Sequence, residues 1–249
     1  MSDDRTIPWG QIVIEAVAIV LSILLAFWID AWWDKRQERE DAKVVLSSLR
    51  DELADVSEFM PFHDQYVAAL RASARRLLIA GVGYAPALDE KEIDKLLGDL
   101  TWFVGERFFF VPELDSLVLN DDLILIENTK LRRMLKSWKR RNDFFRGSVG
   151  HQQRFVENVF VPYLQENAAL QQIYNVANRM PGSTEDVFPT EMIELRERRS
   201  HADLLDDPKF QNILTRRIAR LDILLSARDG AYVSDLSDVI KLLDEELEK

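Results

Sequence analysis

An almost uninterrupted apolar run near the N-terminus constrains this chain more than any other feature. Residues 12–29 read IVIEAVAIVLSILLAFWI, and only Glu15 and Ser22 break the apolar pattern. At a rise of about 1.5 Å per residue, a helix of this length measures about 27 Å, which is close to the ~30 Å hydrocarbon core of a bilayer. We therefore predict a single membrane-spanning helix over residues 11–33.

Two other interpretations of the run fit the sequence less well. A cleaved signal peptide has a shorter apolar stretch, a more basic start and small residues at its cleavage site, and AFWIDAWW offers no such site. A buried core helix is the other alternative, but a helix that is apolar nearly all round is unusual in a domain of this size. The residues predicted to anchor the helix at the two membrane interfaces are Trp9, Trp28, Trp32, Trp33, Lys35 and Arg36.

The charged residues beside the run predict its orientation. Arg5 is the only basic residue before it, whereas Lys35, Arg36, Arg39 and Lys43 follow it, mixed with acidic residues. Because Lys and Arg stay on the cytoplasmic side of a membrane, we expect residues 1–10 to form a short extracytoplasmic tail and residues 34–249 to form a cytoplasmic helical domain.

One side of the predicted span collects its small and polar residues. They are spaced by three or four positions, which places them on one stripe of a helix: Gln11, Glu15, Ala18, Ser22, Ala26 and Asp30. Small residues at every fourth position allow another helix backbone to approach closely, so we interpret this stripe as a helix–helix contact face. The alternative is that small residues are simply common in membrane helices.

Glu15 has two interpretations within that stripe. An ionisable group inside a bilayer is costly and usually has a partner or a task. Glu15 could be protonated and hydrogen-bonded across a dimer, or it could relay protons beside a partner helix. Its position near one end of the span favours the first interpretation, because a relay carboxylate is more useful near the middle of the bilayer.

The part after the span reads as helices, which predicts an all-α fold. An apolar seam at heptad spacing, formed by Leu46, Leu49, Leu53 and Val56, favours a bundle or coiled-coil-like soluble domain. The seam could pair with a second chain or fold against the chain's own later helices. We expect one continuous helix from about Trp9 to Phe59, with Pro61 opening a new helix or kinking this one.

Local signals predict where the later helices begin and end. Residues 80–89 and 178–190 are rich in Gly, Pro and polar residues and read as loops, and residues 101–112 read as a strand-like or irregular aromatic segment. Asp89 and Asn128 look like N-caps. Asp207 followed by Pro208 looks like a cap followed by the first helical residue, and Gly230 is a candidate bend in the last helix.

Composition and motifs exclude several function classes. The chain has no Cys, which excludes disulfides, thiolate metal sites and a cysteine nucleophile, and its net charge of −11 argues against nucleic acid as a partner. His63, His151 and His201 are far apart and read as surface or boundary residues, so we expect no metal site and no cofactor. We find no phosphate-binding loop, dinucleotide fingerprint or hydrolase motif and expect no enzymatic activity.

One basic stretch with interleaved aromatics, KSWKRRNDFFR at residues 136–146, stands out in this acidic chain. It is a weak signal for nucleic acid, since a basic helix face beside an acidic helix explains it equally well. Anionic lipid headgroups are a further alternative if this helix lies near the membrane.

The N-terminal segment GQIVIEAVAIVLSILLAFWIDAWWDKRQERE resembles a family of bacterial single-pass membrane proteins that is classed as a domain of unknown function. The matching positions are Glu15, the Leu25–Ala26 step, Trp32 or Trp33, and the charged residues 36–40. LILIENTKLRRML, residues 123–135, is similar to that family's leucine-rich turn before an asparagine-capped helix. The resemblance implies a bacterial inner-membrane location and implies no activity.

These observations lead to two functional hypotheses. The first is a membrane-anchored helical scaffold or sensor module that acts through protein–protein contacts, with the lipid bilayer and a second copy of the chain as its expected partners. The second is a subunit of a transport or ion-driven membrane complex, in which Glu15 works beside a partner membrane protein. Replacing Glu15 with Gln separates them, because a hydrogen-bonding role survives this change and proton transfer does not.

Overall fold

The computed structural model describes residues 9–84, 86–103, 105–176, 199–228 and 231–248, and only the backbone of residues 9–16, 125, 175 and 231. The described residues form helices joined by turns and contain no strand, which confirms the all-α fold. The chain divides into two compact units, with the boundary between Ser48 and Leu49. The second unit, Leu49–Lys249, is called here the soluble unit, and the expected start of the cytoplasmic domain at residue 34 stays a prediction.

The first helix, α1 (Trp9–Gly81), is 73 residues long and belongs to both units. The expected continuity from Trp9 to Phe59 is present, and Pro61 does not open a new helix, because α1 runs on for another twenty residues. Pro61 lies on the exposed side of α1, while Met60 and Tyr66 are buried. Packing of the flanking residues therefore holds the helix together across a position where proline removes one backbone hydrogen bond.

The end of α1 is set by two glycines. Gly81 closes the helix where a Cβ atom would overlap the carbonyl oxygen of Leu205, so no larger residue fits without a backbone shift. Gly83 follows with a φ of +75°, a left-handed conformation that glycine adopts without strain. The turn predicted from residue 80 thus begins after Gly81.

The predicted helix start after Asp89 is confirmed, and a second helix follows in this part of the chain. Helix α2 (Glu90–Leu100) begins after Asp89, whose carboxylate accepts a 2.7 Å hydrogen bond from the backbone N–H of Glu92. Helix α3 (Pro112–Leu119) begins with proline at its first position. The aromatic segment between them is irregular and contains a 3-10 turn over Glu106–Phe109, and a second such turn covers Asp122–Leu125.

The second half is built around α4 (Thr129–Phe155). Asn128 caps this helix, since its side-chain oxygen accepts hydrogen bonds of 3.1 Å from the backbone N–H groups of Lys130 and Leu131. A π-helical turn over Val156–Phe160 continues α4 into the next element. The remaining helices are α5 (Val161–Asn167), α6 (Leu170–Val176), α7 (Asp203–Asp206), α8 (Pro208–Arg228) and α9 (Ala231–Leu247).

Residues predicted for the last part of the chain have mixed outcomes. The start of α8 is confirmed, because Pro208 is its first residue and the Asp207 carboxylate accepts a 2.8 Å hydrogen bond from the N–H of Lys209. The predicted loop at 178–190 and the bend at Gly230 lie outside the described residues.

The core of the soluble unit forms where α4 packs against α8 and α9 and where α2 packs against α6. Trp138 and Phe145 of α4 are fully buried and stack on Tyr232 of α9 at ring-centroid distances of 5.6 and 5.1 Å. Asn142 lies beside them and joins two elements: its amide N–H donates to the carbonyl of Phe109, and its oxygen accepts from the Tyr232 hydroxyl, both at 2.9 Å.

Candidate functional site

The first half of α1 is the segment that can interact with a membrane. Its most apolar 18 residues have a mean hydropathy of 1.7, and the helix is long and apolar enough to cross a bilayer. None of this apolar stretch is buried against other described residues. Phe27 and Trp28 are 67% and 65% exposed, values that a soluble core helix would not show. At the end of the run, the Arg36 guanidinium lies 5.8 Å from the centre of the Trp32 ring.

The small-residue face is present within this segment. Ala18, Ser22 and Ala26 lie one turn apart on α1 and are exposed. The Ser22 hydroxyl donates a 2.8 Å hydrogen bond to the carbonyl oxygen of Ala18, so its proton is satisfied inside its own helix. Asp30 is exposed farther along, and the side chains of Gln11, Glu15 and Trp9 lie outside the described residues.

The heptad seam lies inside the chain's own fold. Leu49 and Leu53 are completely buried, and Leu46 and Val56 are 6% and 2% exposed. The chain itself therefore supplies their cover, which is the second of the two outcomes expected for the seam. These side chains offer no free surface to a second chain, because exposing them would open the core.

A buried histidine–carboxylate pair lies elsewhere in the soluble unit. Nδ1 of His201 lies 2.6 Å from a carboxylate oxygen of Asp94, and both side chains are inaccessible to solvent. Nε2 of the same ring accepts a 2.9 Å hydrogen bond from the backbone N–H of Ala169, so the ring proton is on Nδ1 and is donated to Asp94. With its lone pair already engaged, the imidazole cannot take a proton from a substrate, and the pair serves to hold α2 against later parts of the chain.

Two more side chains complete this buried network. The Gln172 amide N–H donates to Asp94 at 2.9 Å and to the carbonyl of Arg199 at 3.0 Å, and its oxygen accepts from the N–H of Arg199 at 3.1 Å. Glu90 accepts hydrogen bonds from the Ser200 hydroxyl and from the N–H of His201. The network thus fixes residues 199–201 to α2 and α6.

His63 occupies a second buried site with different chemistry. It is 2% exposed, and its ring meets Phe109 and Phe145 edge-on at 5.0 and 5.6 Å. Burial, together with the positive charge of Arg228, lowers the pKa of His63 to about 4. The surface or boundary placement expected for the three histidines is therefore wrong for His63 and His201, and only His151 is exposed.

Arg217 is a fully buried cation of the soluble unit. One guanidinium nitrogen donates a 2.8 Å hydrogen bond to the side-chain oxygen of Gln152, and the group lies 5.1 Å from the ring centre of Phe103. Burial lowers the pKa of Arg217 to about 10. Aromatic faces and one amide oxygen stabilise this charge, since no carboxylate among the described residues pairs with it.

The described residues hold no group of three or more histidine, aspartate or glutamate side chains arranged for a metal ion. An open groove of about 300 Å³ lies between α1 and α8 and is lined by Arg71, Arg75, Leu78, Ile79, Thr215, Ile218 and Asp222. Arg71 and Asp222 form an ion pair with each other across it. The groove therefore presents a mixed surface without a converging set of reactive groups.

The basic stretch at residues 136–146 lies on α4 and has two parts. Lys139, Arg141 and Arg146 form ion pairs with Asp115, Asp143 and Asp235. Lys136 and Arg140 are exposed and make no ion pair with any described residue. The alternative that these cations lie beside acidic partners therefore holds for one side of α4 only.

Sequence reasoning missed the buried polar residues because their partners are distant along the chain. Asp94 lies 107 residues from His201 and 78 residues from Gln172, so no local spacing connects them.

Comparison of the chain with known protein families, with curated proteins and with solved structures found no match. The resemblance to the bacterial single-pass family stays a prediction.

Proposed function

We propose that this protein is a membrane-anchored helical scaffold or sensor module that acts through protein–protein contacts. The observation that carries the proposal is the exposed apolar half of α1, which has no cover within the described residues. Exposure of an apolar helix of this length to water is unfavourable, so lipid or another protein has to cover it. A folded helical unit follows in the same chain.

The contact we propose is formed by two copies of α1 inside the bilayer, through the face of Ala18, Ser22 and Ala26. The exposed small side chains allow two helix backbones to approach closely and gain dispersion contacts. Because the Ser22 proton is already satisfied by Ala18, this face brings no unpaired donor into the interface. The heptad seam is buried and offers no contact surface to a second chain. The parallel dimer that we propose therefore depends on the small-residue face in the membrane.

The proposed location is the bacterial inner membrane, with the soluble unit in the cytoplasm. Lys35 and Arg36 lie just after the predicted span and are exposed, and Arg36 packs against Trp32 as an interfacial anchor does. Basic residues immediately after a span are retained on the cytoplasmic side, which places the long C-terminal part inside the cell.

Cysteine cross-linking in membranes tests the proposed contact, and the chain suits it because it contains no Cys. Ala18→Cys and Ala26→Cys place a thiol on the small-residue face, and Val20→Cys and Leu24→Cys place one on the opposite side of the same helix. We expect mild oxidation to give a covalent dimer for the first two variants and little dimer for the other two.

Equal cross-linking on both sides of α1, or none on either side, would remove the case for this interface. Repeating the oxidation after dilution with excess lipid separates a specific dimer from random collisions, because only collisional cross-linking falls in proportion to the density of the protein in the membrane.

A further inference from the structure

We propose that the exposed face of α4 binds the anionic surface of the membrane in which the chain is anchored. This face, called here the basic stripe, consists of Lys130, Arg133, Lys136, Arg140 and Phe144. The inference rests on the membrane anchoring given above and adds a second membrane contact, made by the soluble unit.

The geometry of α4 separates the basic stripe from the core. Steps of three, three, four and four residues keep the five side chains on one side of the helix, and all five are exposed. Between residues 130 and 149, the buried residues of α4 lie on the opposite side: Leu131, Leu135, Trp138, Asn142, Phe145 and Val149. The basic stripe therefore points away from the elements that α4 packs against.

Charge is distributed very unevenly between α4 and the rest of the chain. The 27 residues of α4 include nine Lys and Arg and a single acidic residue, Asp143, whereas the whole chain has a net charge of −11. Asp143 lies next to the stripe and is bound by Lys139 at 2.7 Å. Asp115 and Asp235, from the helices beside α4, are paired with Lys139 and Arg141, so these carboxylates are already occupied.

Phe144 adds an apolar group to this cationic surface. Its ring is 65% exposed, while the neighbouring Phe145 is 1% exposed and fills the core. A row of cations with an aromatic ring beside it matches a membrane interface, where headgroups carry negative charge and rings enter the boundary of the acyl chains. Entry into this boundary would remove the exposed ring from water.

A short stretch of chain joins the predicted span to the soluble unit. Trp33 is the last residue of the predicted span, and the soluble unit begins at Leu49. Only fifteen residues lie between them, so the start of the soluble unit cannot lie far from the end of the span. Tethering at this distance gives the soluble unit a high effective concentration at the membrane, so a modest electrostatic attraction is sufficient for binding.

The test uses the full chain in lipid nanodiscs and a single thiol on the stripe. Ser137→Cys places an environment-sensitive dye beside the stripe on α4, and Ser237→Cys places the same dye on the exposed side of α9 as a matched control. Nanodiscs contain phosphatidylcholine alone, or phosphatidylcholine with 30% phosphatidylglycerol, and a headgroup-labelled quencher lipid in both. Phosphatidylglycerol at about 30% of the lipid gives the disc surface a negative potential.

We expect the dye at position 137 to be quenched at least twofold more in the anionic discs than in the neutral discs, and the dye at position 237 to show no such difference. The double variant Lys136→Glu with Arg140→Glu should abolish the difference. The double variant Arg75→Glu with Lys91→Glu alters the net charge equally at exposed positions elsewhere and should retain it.

Equal quenching in the two kinds of disc, or quenching that survives Lys136→Glu with Arg140→Glu, would overturn the proposal. A stripe that binds an acidic protein instead of lipid gives no quenching in either disc and overturns it as well. Recovery of the labelled chain with the discs after flotation is measured in the same samples, so a failure of membrane anchoring is distinguished from a failure of the stripe to bind.

Discussion

At the scale of single residues, His63 couples the stability of the soluble unit to pH. Its ring is enclosed by Phe109 and Phe145, and the nearby Arg228 forms an ion pair with Asp64, the next residue in the chain. The pKa of His63 is about 4 in the folded chain, against an ordinary value of 6.5 for an exposed histidine. Between these two values the unfolded chain binds a proton that the folded chain excludes, so stability is full above pH 6.5 and falls as the pH decreases toward 4.

We predict that His63→Leu removes this pH dependence. A difference of about 2.5 pKa units corresponds to about 3 kcal/mol, which the original chain should lose between pH 7 and pH 4 through this residue. Burial raises the pKa values of Glu52 and Asp99, which acts in the opposite direction, so the comparison between variant and original chain isolates the histidine. Denaturant unfolding followed by circular dichroism at several pH values measures the effect.

The exposed His151 provides the matched control for this prediction. His151→Leu should leave the pH profile unchanged. If His63→Leu retained the full loss of stability at pH 4, His63 would not be the group responsible.

Gln172 is the second residue with a large predicted effect. Its side chain makes three hydrogen bonds inside the protein, to Asp94 and to both backbone groups of Arg199. Gln172→Leu leaves these partners buried without replacement bonds, so we expect the free energy of unfolding to fall by about 2–4 kcal/mol. The exposed Gln165→Leu should change it by less than about 0.5 kcal/mol, and equal losses in the two variants would contradict the role of the network.

Features with local causes could be predicted at this scale, and features with distant causes could not. Asp89 and Asn128 were identifiable as N-caps because a capping residue acts on backbone groups two or three positions away. The burial of His201 depends on Asp94 and Ala169, which belong to other elements of the fold. Periodicity and spacing carry no information about such pairs.

At the scale of elements, α1 shows how tertiary packing overrides a local helix breaker. Pro61 was expected to open a new helix or to kink this one, and α1 continues through it to Gly81 without a new start. The second part of α1 is held by contacts with several helices, including the ion pairs of Arg71 with Asp222 and of Arg76 with Glu92. Proline inside the helix is still locally unfavourable, but the free energy gained from packing is larger than this cost.

We therefore predict that Pro61→Ala stabilises the protein. The alanine restores the backbone hydrogen bond and relieves the clash of the ring with the preceding turn, and these gains exceed the lost rigidity of the unfolded chain. The free energy of unfolding should rise by about 2 kcal/mol, measured in denaturant with the full chain in detergent. A decrease would show that α1 needs a bend at this residue to pack.

The heptad seam illustrates a different limit at the element scale. The spacing of Leu46, Leu49, Leu53 and Val56 identified a buried helix face, and all four residues are buried. The same spacing suits a partner helix from a second chain or from the same chain. The choice depends on the later helices of the chain, whose positions no pattern within α1 encodes.

At the scale of the whole molecule, the chain combines two units with different solvent requirements. The exposed apolar half of α1 is suited to lipid, and the described residues from Leu49 onward form helices around buried apolar side chains. Fold class and the candidate span follow from periodicity and hydropathy alone, because these patterns reflect the solvent that each residue faces. The basic stripe could be found in the sequence only as a dense group of charges, since its separation from the paired cations of α4 requires the positions of Asp115, Asp143 and Asp235.

The central claim is that the apolar half of α1 spans a membrane with the soluble unit in the cytoplasm, and thiol accessibility tests it most directly. Three variants of the cysteine-free chain are compared in spheroplasts with a membrane-impermeant maleimide: Ser2→Cys before the span, Leu24→Cys within it and Val44→Cys after it. We predict that the thiol at position 2 reacts in intact spheroplasts, that the thiol at position 44 reacts only after permeabilisation, and that the thiol at position 24 reacts in neither condition. A thiol at position 24 that reacts as fast as the one at position 44 after permeabilisation would contradict the span, and reaction at position 44 in intact spheroplasts would contradict the orientation.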